Sequence, residues 1–113
     1  MLAEIADELA EALNTAGVNT TTDIRNLRPP GAVIGPPRVR VIRGPNMLVE
    51  ATWTVTVAAP GPGNLDALKA LLTLAETATR TVNVTDWTPT VLTVGGAELP
   101  ALDLTVITTV RDD

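Results

Sequence analysis

Residues 48–58 alternate between apolar and polar side chains, a pattern that leaves few folds open to the chain. The apolar members are Val49, Ala51, Trp53, Val55 and Val57, and the polar members between them are Glu50, Thr52, Thr54 and Thr56. Because successive side chains of a strand point to opposite faces, the pattern predicts a β-strand with one covered and one solvated face. Such strands are typical of antiparallel sheets, and Trp53 is predicted to lie in the core.

Two segments with helical spacing are available to cover that sheet. The apolar stripe of the first consists of Leu2, Ile5, Leu9 and Leu13, and that of the second consists of Leu65, Leu68, Leu72 and Ala75. Residues that recur every three or four positions predict amphipathic helices. Gly17 is predicted to end the first helix, and Asn64 is predicted to be the N-cap of the second.

The remaining segments are shorter and less regular. Residues 18–24 are predicted to be a short strand or an extended linker, and residues 25–31 a loop. The apolar run 31–35 is confined by prolines to an edge or short buried strand, and residues 82–88 form a weak strand or extended connection. Gly95-Gly96 is predicted to be a tight turn between strands 90–94 and 97–110, the latter with a bulge at Pro100.

Together these elements predict an α+β fold over residues 1–113, a single domain. We expect a mostly antiparallel sheet of about four to five strands with two helices packed on one face. The segment 25–47 is rich in Arg, Pro and Gly, and it is predicted to be a loop or hairpin that is mobile in the isolated subunit.

The composition argues against an enzyme. The chain has no Cys, His, Tyr or Phe, which removes thiol catalysis, histidine-based triads and Cys/His zinc sites. The carboxylates of Asp86, Glu98 and Asp103 belong to the C-terminal hairpin region, but no pattern fixes them in one pocket. We therefore expect no catalytic residues, no metal site and no cofactor.

Arginine is concentrated in one quarter of an otherwise acidic chain. The formal net charge is −5, yet residues 24–49 contain no acidic residue. The arginines of this region are Arg25, Arg28, Arg38, Arg40 and Arg43. They are either a solvated strand face and loop or an interaction surface, and the acidic first helix of another copy, with Glu4, Glu8 and Glu11, is a suitable partner.

Two further observations concern partners. Periodicity does not explain Trp87, which is therefore predicted to be an exposed interface anchor. The first residues are acidic where a signal peptide would be basic, and no run of about 20 apolar residues is present. We expect folding in the cytosol and no association with a membrane.

The order of segments resembles a known family. An acidic amphipathic helix ends in Ala16-Gly17-Val18, and an Arg/Pro-rich stretch and the alternating Trp/Val/Thr strand follow. Next come Val57-Ala58-Ala59-Pro60-Gly61-Pro62-Gly63-Asn64-Leu65-Asp66-Ala67-Leu68 and the hairpin Leu92-Thr93-Val94-Gly95-Gly96-Ala97-Glu98-Leu99-Pro100-Ala101. The chain resembles the tail terminator, or head-to-tail neck, proteins of long-tailed bacteriophages, especially those of actinobacterial hosts.

The resemblance implies a structural role in the virion. Proteins of this kind form a ring, usually of six subunits, that caps the tail tube, ends its polymerisation and presents a surface to the head connector or stopper. It also implies an α+β sandwich, assembly in the host cytoplasm and a location in the neck of the virion. Six copies at −5 each carry about −30, so an acidic lumen would let DNA pass without specific binding.

Two alternatives to a terminator stay open. The chain could be another neck component, such as a stopper, a head-completion protein or a tube-like subunit. It could also be a small monomeric binding module that uses the Arg-rich segment to dock an acidic protein or nucleic acid, in which case its association with DNA would depend strongly on salt.

Overall fold

The computed structural model describes residues 1–61 and 65–111. The helices are α1 (Leu2–Thr15) and α2 (Leu65–Thr81), with a short 3₁₀ helix at Ile24–Asn26. The strands are β1 (Thr20–Thr21), β2 (Gly31–Ile34), β3 (Arg38–Arg43), β4 (Leu48–Ala58), β5 (Val84–Val94) and β6 (Ala97–Arg111). The predicted N-cap Asn64 lies outside the described residues.

The strands form one mostly antiparallel sheet in the order β1-β2-β4-β6-β5. Strands β2 and β3 both pair with β4, β2 with residues 55–58 and β3 with residues 48–52. Only the short pair β1–β2 is parallel. The α+β prediction is confirmed, with six strands instead of four to five, because the polar pair Thr20–Thr21 and the arginine-rich β3 both join the sheet.

Strand β6 spans the whole molecule. Its 15 residues, at about 3.3 Å each, account for about 50 Å, and the longest dimension of the molecule is 49 Å. Arg111 pairs with Leu48 at one end of β6, beside the β3–β4 hairpin. Ala97 pairs with Val94 at the other end, in the β5–β6 hairpin. The two hairpins therefore lie at opposite ends of the sheet.

Both helices contribute to one core on the same face of the sheet. Leu9 and Leu13 of α1 and Ala75 of α2 are buried against Val55 and Leu104. Trp53 is 2% exposed and its indole Nε1 donates a hydrogen bond of 2.9 Å to Thr108 Oγ1, so its prediction as a core residue is confirmed. Burial of these apolar side chains is the main force that holds the helices on the sheet.

A second, smaller core lies on the opposite face, near the β5–β6 hairpin. Its buried members are Leu27, Ala58 and Ala101, and the partly buried residues packed on them are Val33, Leu92, Val94 and Leu99. Leu27 directly follows the 3₁₀ helix, so the loop that precedes β2 covers this end of the sheet. The rest of that face, rich in threonine on β4, has no covering helix among the described residues.

The predicted turns are found, but β5 is longer than expected. Gly17, at φ +96°, follows the end of α1, and Gly95 and Gly96 have the positive φ values of a two-residue hairpin turn, as expected. Residues 82–88 and 90–94 were predicted as separate pieces, but residues 84–94 form one strand. Pro89 is tolerated within β5 because β5 pairs only with β6 in the described sheet and is therefore an edge strand.

The predicted bulge at Pro100 is wrong. Pro100 pairs with Val91 in regular register, and the irregularity of this ladder lies between Val84 and Asp86. The Pro100 carbonyl accepts a hydrogen bond from Ala59 N. It therefore points towards β4, one position beyond Ala58–Ala101, the last pair of the β4–β6 ladder. The proline nitrogen faces the same way, so its missing N–H interrupts no pairing.

The segment 25–47 contains more regular structure than a loop. It includes part of the 3₁₀ helix, all of β2 and β3, and a cis peptide bond between Pro29 and Pro30. Its second half forms the predicted hairpin with β4. The mobility of this segment in the isolated subunit stays a prediction.

Candidate interaction surface

Four arginines meet at one end of the sheet. Strand β3 contributes Arg38, Arg40 and Arg43, and the end of β6 contributes Arg111. Leu48 is the register partner of both Arg43 and Arg111, and Arg40 and Arg38 pair with Glu50 and Thr52, two and four positions farther along β4. We call these four residues the basic end.

The arginines of the basic end are only weakly engaged within the subunit. Arg40 Nη2 lies 3.7 Å from Glu50 Oε2, and the side chains are 71% and 34% exposed. Exposed pairs of this kind contribute about 0–1 kcal/mol. Arg43 donates to the carbonyl oxygens of Pro45 and Asn46, at 3.0 and 3.4 Å. Neither Arg38 nor Arg111 forms an ion pair with any other described residue.

Apolar side chains accompany the arginines without being covered. Every residue of β3 is exposed, and Val39, Val41 and Ile42 are 40%, 61% and 48% exposed. Val39 and Val41 pair with Ala51 and Val49, which are buried, so both valines belong to the helix-bearing face of the sheet. This edge therefore presents valines on one face and arginines on the other.

The two remaining arginines of the predicted cluster lie elsewhere. Arg25 donates three side-chain hydrogen bonds to Asp23, from Nε to Oδ1 at 3.1 Å and to Oδ2 at 3.2 Å and from Nη2 to Oδ2 at 2.7 Å, and its backbone N–H donates to Oδ1 at 3.0 Å. These hydrogen bonds lower the pKa of Asp23 below its ordinary value. Arg28 donates to the Leu27 carbonyl at 3.4 Å.

Sheet pairing explains why the five arginines do not form one surface. Arg25 and Arg28 precede β2, which pairs with the far end of the 11-residue strand β4. The Arg28 backbone lies against Gly31, whose partner Ala58 is ten positions along β4 from Leu48, the partner of Arg43, a separation of about 33 Å. Arg25 lies nearer the middle of β4, because Ile24 lines a groove with Pro36 and Thr54. Arg111, which the sequence analysis did not single out, joins the basic end through the register of β4 with β6.

The first helix carries the complementary charge. Glu4, Asp7, Glu8 and Glu11 are exposed, and α1 contains no basic residue. Glu4 forms an ion pair with the N-terminal ammonium, whose hydrogen bond lowers the pKa of Glu4. Like charges four residues apart on a helix repel each other, so an external cation would stabilise this face.

A shallow groove of about 520 Å³ adjoins the acidic face. It is lined by Glu8, Glu11, Ala12, Thr15 and Ala16 of α1 and by Thr81 at the end of α2. The small side chains in the middle leave an apolar floor, with two carboxylates along the rim.

Trp87 is half-buried and not fully exposed as predicted. Its indole Nε1 donates a hydrogen bond of 3.0 Å to Thr79 Oγ1, and its ring packs on the main core. This contact connects β5 to α2. Its geometry accounts for the tryptophan without an external partner, and a role as an interface anchor stays a prediction.

The acidic residues considered for catalysis do not converge. Thr56 Oγ1 donates to Asp103 Oδ1 at 2.6 Å, and Thr88 Oγ1 lies 3.5 Å from Asp86 Oδ2. Within residues 1–61 and 65–111, no group of three or more carboxylates is placed to hold a metal ion. The helices of the described chain are too short or too polar to cross a bilayer.

Comparison with known proteins adds no relative: no family model, no curated protein and no solved structure matches this chain. The chain is an α+β domain with a basic hairpin at one end of its sheet and an acidic first helix.

Proposed function

We propose that this chain is a structural protein of the bacteriophage neck that closes into a ring, with six copies as the expected number. The ring would cap the tail tube, end its polymerisation and join the tail to the head connector or stopper. The observation that carries the proposal is the presence of two different, oppositely charged and exposed surfaces on one small domain. A closed ring requires each subunit to offer two unlike faces that complement each other.

Two further features are consistent with this function. The α+β architecture with helices on one side of the sheet is the one that the resemblance implies. The strong net negative charge suits a ring through which DNA passes without specific binding, provided that the basic end does not line the lumen. The protein would assemble in the host cytoplasm, reside in the neck of the virion and make no contact with a membrane.

The basic end also favours a second candidate function. A monomeric binding module could use Arg38, Arg40, Arg43 and Arg111 to dock an acidic protein or nucleic acid. Binding to nucleic acid would weaken steeply as salt increases, because each neutralised phosphate releases counterions. The same arginines in a ring would be occupied by neighbouring subunits, and the assembled protein would bind DNA weakly at any salt concentration.

The first test is the absolute mass in solution, measured by light scattering behind a sizing column over a range of concentrations. A discrete species near six times 11.8 kDa supports the ring. A monomer at every concentration that also binds duplex DNA in a salt-dependent manner supports the binding module instead.

The second test combines the protein with tail tube subunits encoded by the same genome. Electron microscopy should show tubes of limited length with extra density at one tip, whereas tubes formed without the protein should be longer and bare. Tubes of unchanged length with uncapped tips would overturn the proposed function, and a neck component that acts elsewhere would then replace it.

A further inference from the structure

The outer edge of β3 is uncovered in the subunit and carries exposed apolar side chains, and we infer that the next copy of this chain covers it. The inference rests on the proposed function and deepens it. Specifically, we propose that β3 docks on α1 of a neighbouring subunit, with its valines over the groove between α1 and the end of α2. The arginines of β3 would then face the carboxylates of the same helix.

The apolar part of the contact comes from side chains that a solitary subunit leaves in water. Val39 and Val41 are neighbours on one face of an edge strand, and Ile42 lies at the register shift between Val41 and Arg43. The floor of the groove, formed by Ala12 and Ala16, offers small side chains that admit branched ones. Burial of this apolar surface favours association at roughly 25 cal/mol per Å².

The charged part of the contact selects a second copy over other occupants. On β3, Arg38 and Arg40 alternate with the valines, and because the strand is at an edge, long side chains from both faces can reach the same partner. On α1, Glu8 and Glu11 form the rim of the groove, and the helix has no cation of its own. Arginine and carboxylate can pair through two parallel hydrogen bonds.

The dimensions of the two elements match. The 14 residues of α1 extend over about 21 Å, and the six residues of β3 extend over about 20 Å. Side chains on one face of a strand repeat every 6.6 Å or so, close to the roughly 5.4 Å of one helical turn. Two successive valines can therefore occupy two successive turns of α1.

Backbone pairing between sheet edges is a less suitable way to cover β3. Pro36 and Pro37 precede the strand, and its ladder with β4 is irregular near Ile42. Of the two strands that end the sheet order, β1 has only two residues, and β5 contains Pro89 and an irregularity near Val84. Prolines, bulges and charged side chains are the features that protect edges against strand addition. Contact through side chains does not require regular backbone on either partner.

Charge reversal and its complementation test the contact. The variant Arg38→Glu/Arg40→Glu and the variant Glu8→Arg/Glu11→Arg should each lose self-association by at least tenfold, as measured by light scattering. All four positions are exposed, so the fold should survive. Lys69→Glu and Glu98→Arg introduce charge reversals at exposed sites away from the contact and should associate as the wild type does.

Mixing the two reversed variants sharpens the test. In an alternating ring of even number, every interface would pair either wild-type surfaces or doubly reversed surfaces, so mixing should restore assembly. A chain that carries all four substitutions should also assemble alone. Assembly that withstands both reversals, or that mixing fails to restore, would overturn this contact.

Engineered thiols provide a measurement that does not depend on charge. The chain has no cysteine, so any disulfide must involve the introduced residues. A Val41→Cys chain mixed with a tagged Ala12→Cys chain should form a cross-linked heterodimer under mild oxidation. Val91→Cys, which replaces a residue equally exposed at 61% in the other hairpin, is the matched control and should not cross-link to Ala12→Cys.

The outcomes separate this inference from the proposed function. Cross-links and charge complementation in a protein that does not cap tubes would retain the contact and overturn the capping function. Rings that cap tubes but are insensitive to the reversals, and that lack the cross-link, would support the function and overturn the contact. A wild-type chain that does not associate, together with cysteine variants that do not cross-link, even on tube tips, would overturn the contact.

Discussion

The two hairpins at the ends of the molecule are built from similar strands but differ in what surrounds them. The β5–β6 hairpin has Leu27 and the rest of the second core packed on one face. The β3–β4 hairpin has a strand in which every residue is exposed, including Val41 and Ile42. The first has one face covered within the subunit and leaves Val91 exposed on the other. In the second, β3 has no covered residue, so its apolar side chains stay in water, where a partner would stabilise them.

The largest expected effect is a loss of stability at the β5–β6 hairpin, one face of which the second core covers. Leu27→Ala should lower the free energy of unfolding by about 2–4 kcal/mol, because it removes the central side chain of the second core. Chemical denaturation measures the loss. A loss below about 1 kcal/mol would mean that the β5–β6 hairpin is stable without Leu27 packed on it.

A smaller effect is expected at the start of β5, midway between the hairpins. Trp87→Phe should cost about 0.5–1.5 kcal/mol, because it removes the hydrogen bond to Thr79 and keeps an aromatic ring in the core. Thermal and chemical unfolding both report this change. Unchanged stability combined with weaker self-association would instead restore Trp87 as an interface anchor.

At the uncovered end, truncation should affect association and not stability. Val41→Ala should change the free energy of unfolding of the monomer by less than about 0.5 kcal/mol, because the side chain is already 61% exposed. The same variant should associate more weakly than the wild type. Val91→Ala, at the same exposure in the other hairpin, is the control, and equal effects of the two on association would remove the distinction between the hairpins.

The smallest effect concerns the arginine that lies apart from the basic end. Arg25→Gln should raise the pKa of Asp23 towards its ordinary value, because the hydrogen bonds from Arg25 lower it. A lowered pKa stabilises the fold above the unfolded-state pKa, and this contribution disappears as the pH falls through the folded-state value. NMR titration of Asp23 measures the change, while association should stay that of the wild type.

The sequence predicted the elements whose pattern is local. The alternation of β4, the helical stripes of α1 and α2 and the Gly95-Gly96 turn depend on neighbours only a few positions apart, and each is found where expected. Sheet order could not be predicted in the same way. The β3–β4 hairpin is local, but the pairing of β2 with the same edge of β4 joins residues more than 20 positions apart, for which the chain contributes no local signal.

Long-range contacts also decided which residues form the candidate interaction surface, and the sequence did not predict them. Five arginines close together in sequence indicated one patch, but only the three of β3 pair with the start of β4, whereas Arg25 and Arg28 belong to the segment before β2. Arg111 joins the three from the far end of the chain through its pairing with Leu48. Trp87 was singled out because periodicity did not explain it. Its partner Thr79 lies on the polar side of a helix, where no sequence rule predicts a contact with β5.

The length of β6 affects how the subunit would resist a pulling force. It extends from one end of the molecule to the other and is bonded to β4 on one side and to β5 on the other. A load applied along the long axis would have to slide β6 between its neighbours, so many hydrogen bonds would have to fail together and not one after another. The subunit should therefore resist tension along β6 well, whereas a force that peels β3 away from β4 would break the hydrogen bonds of that pair one at a time.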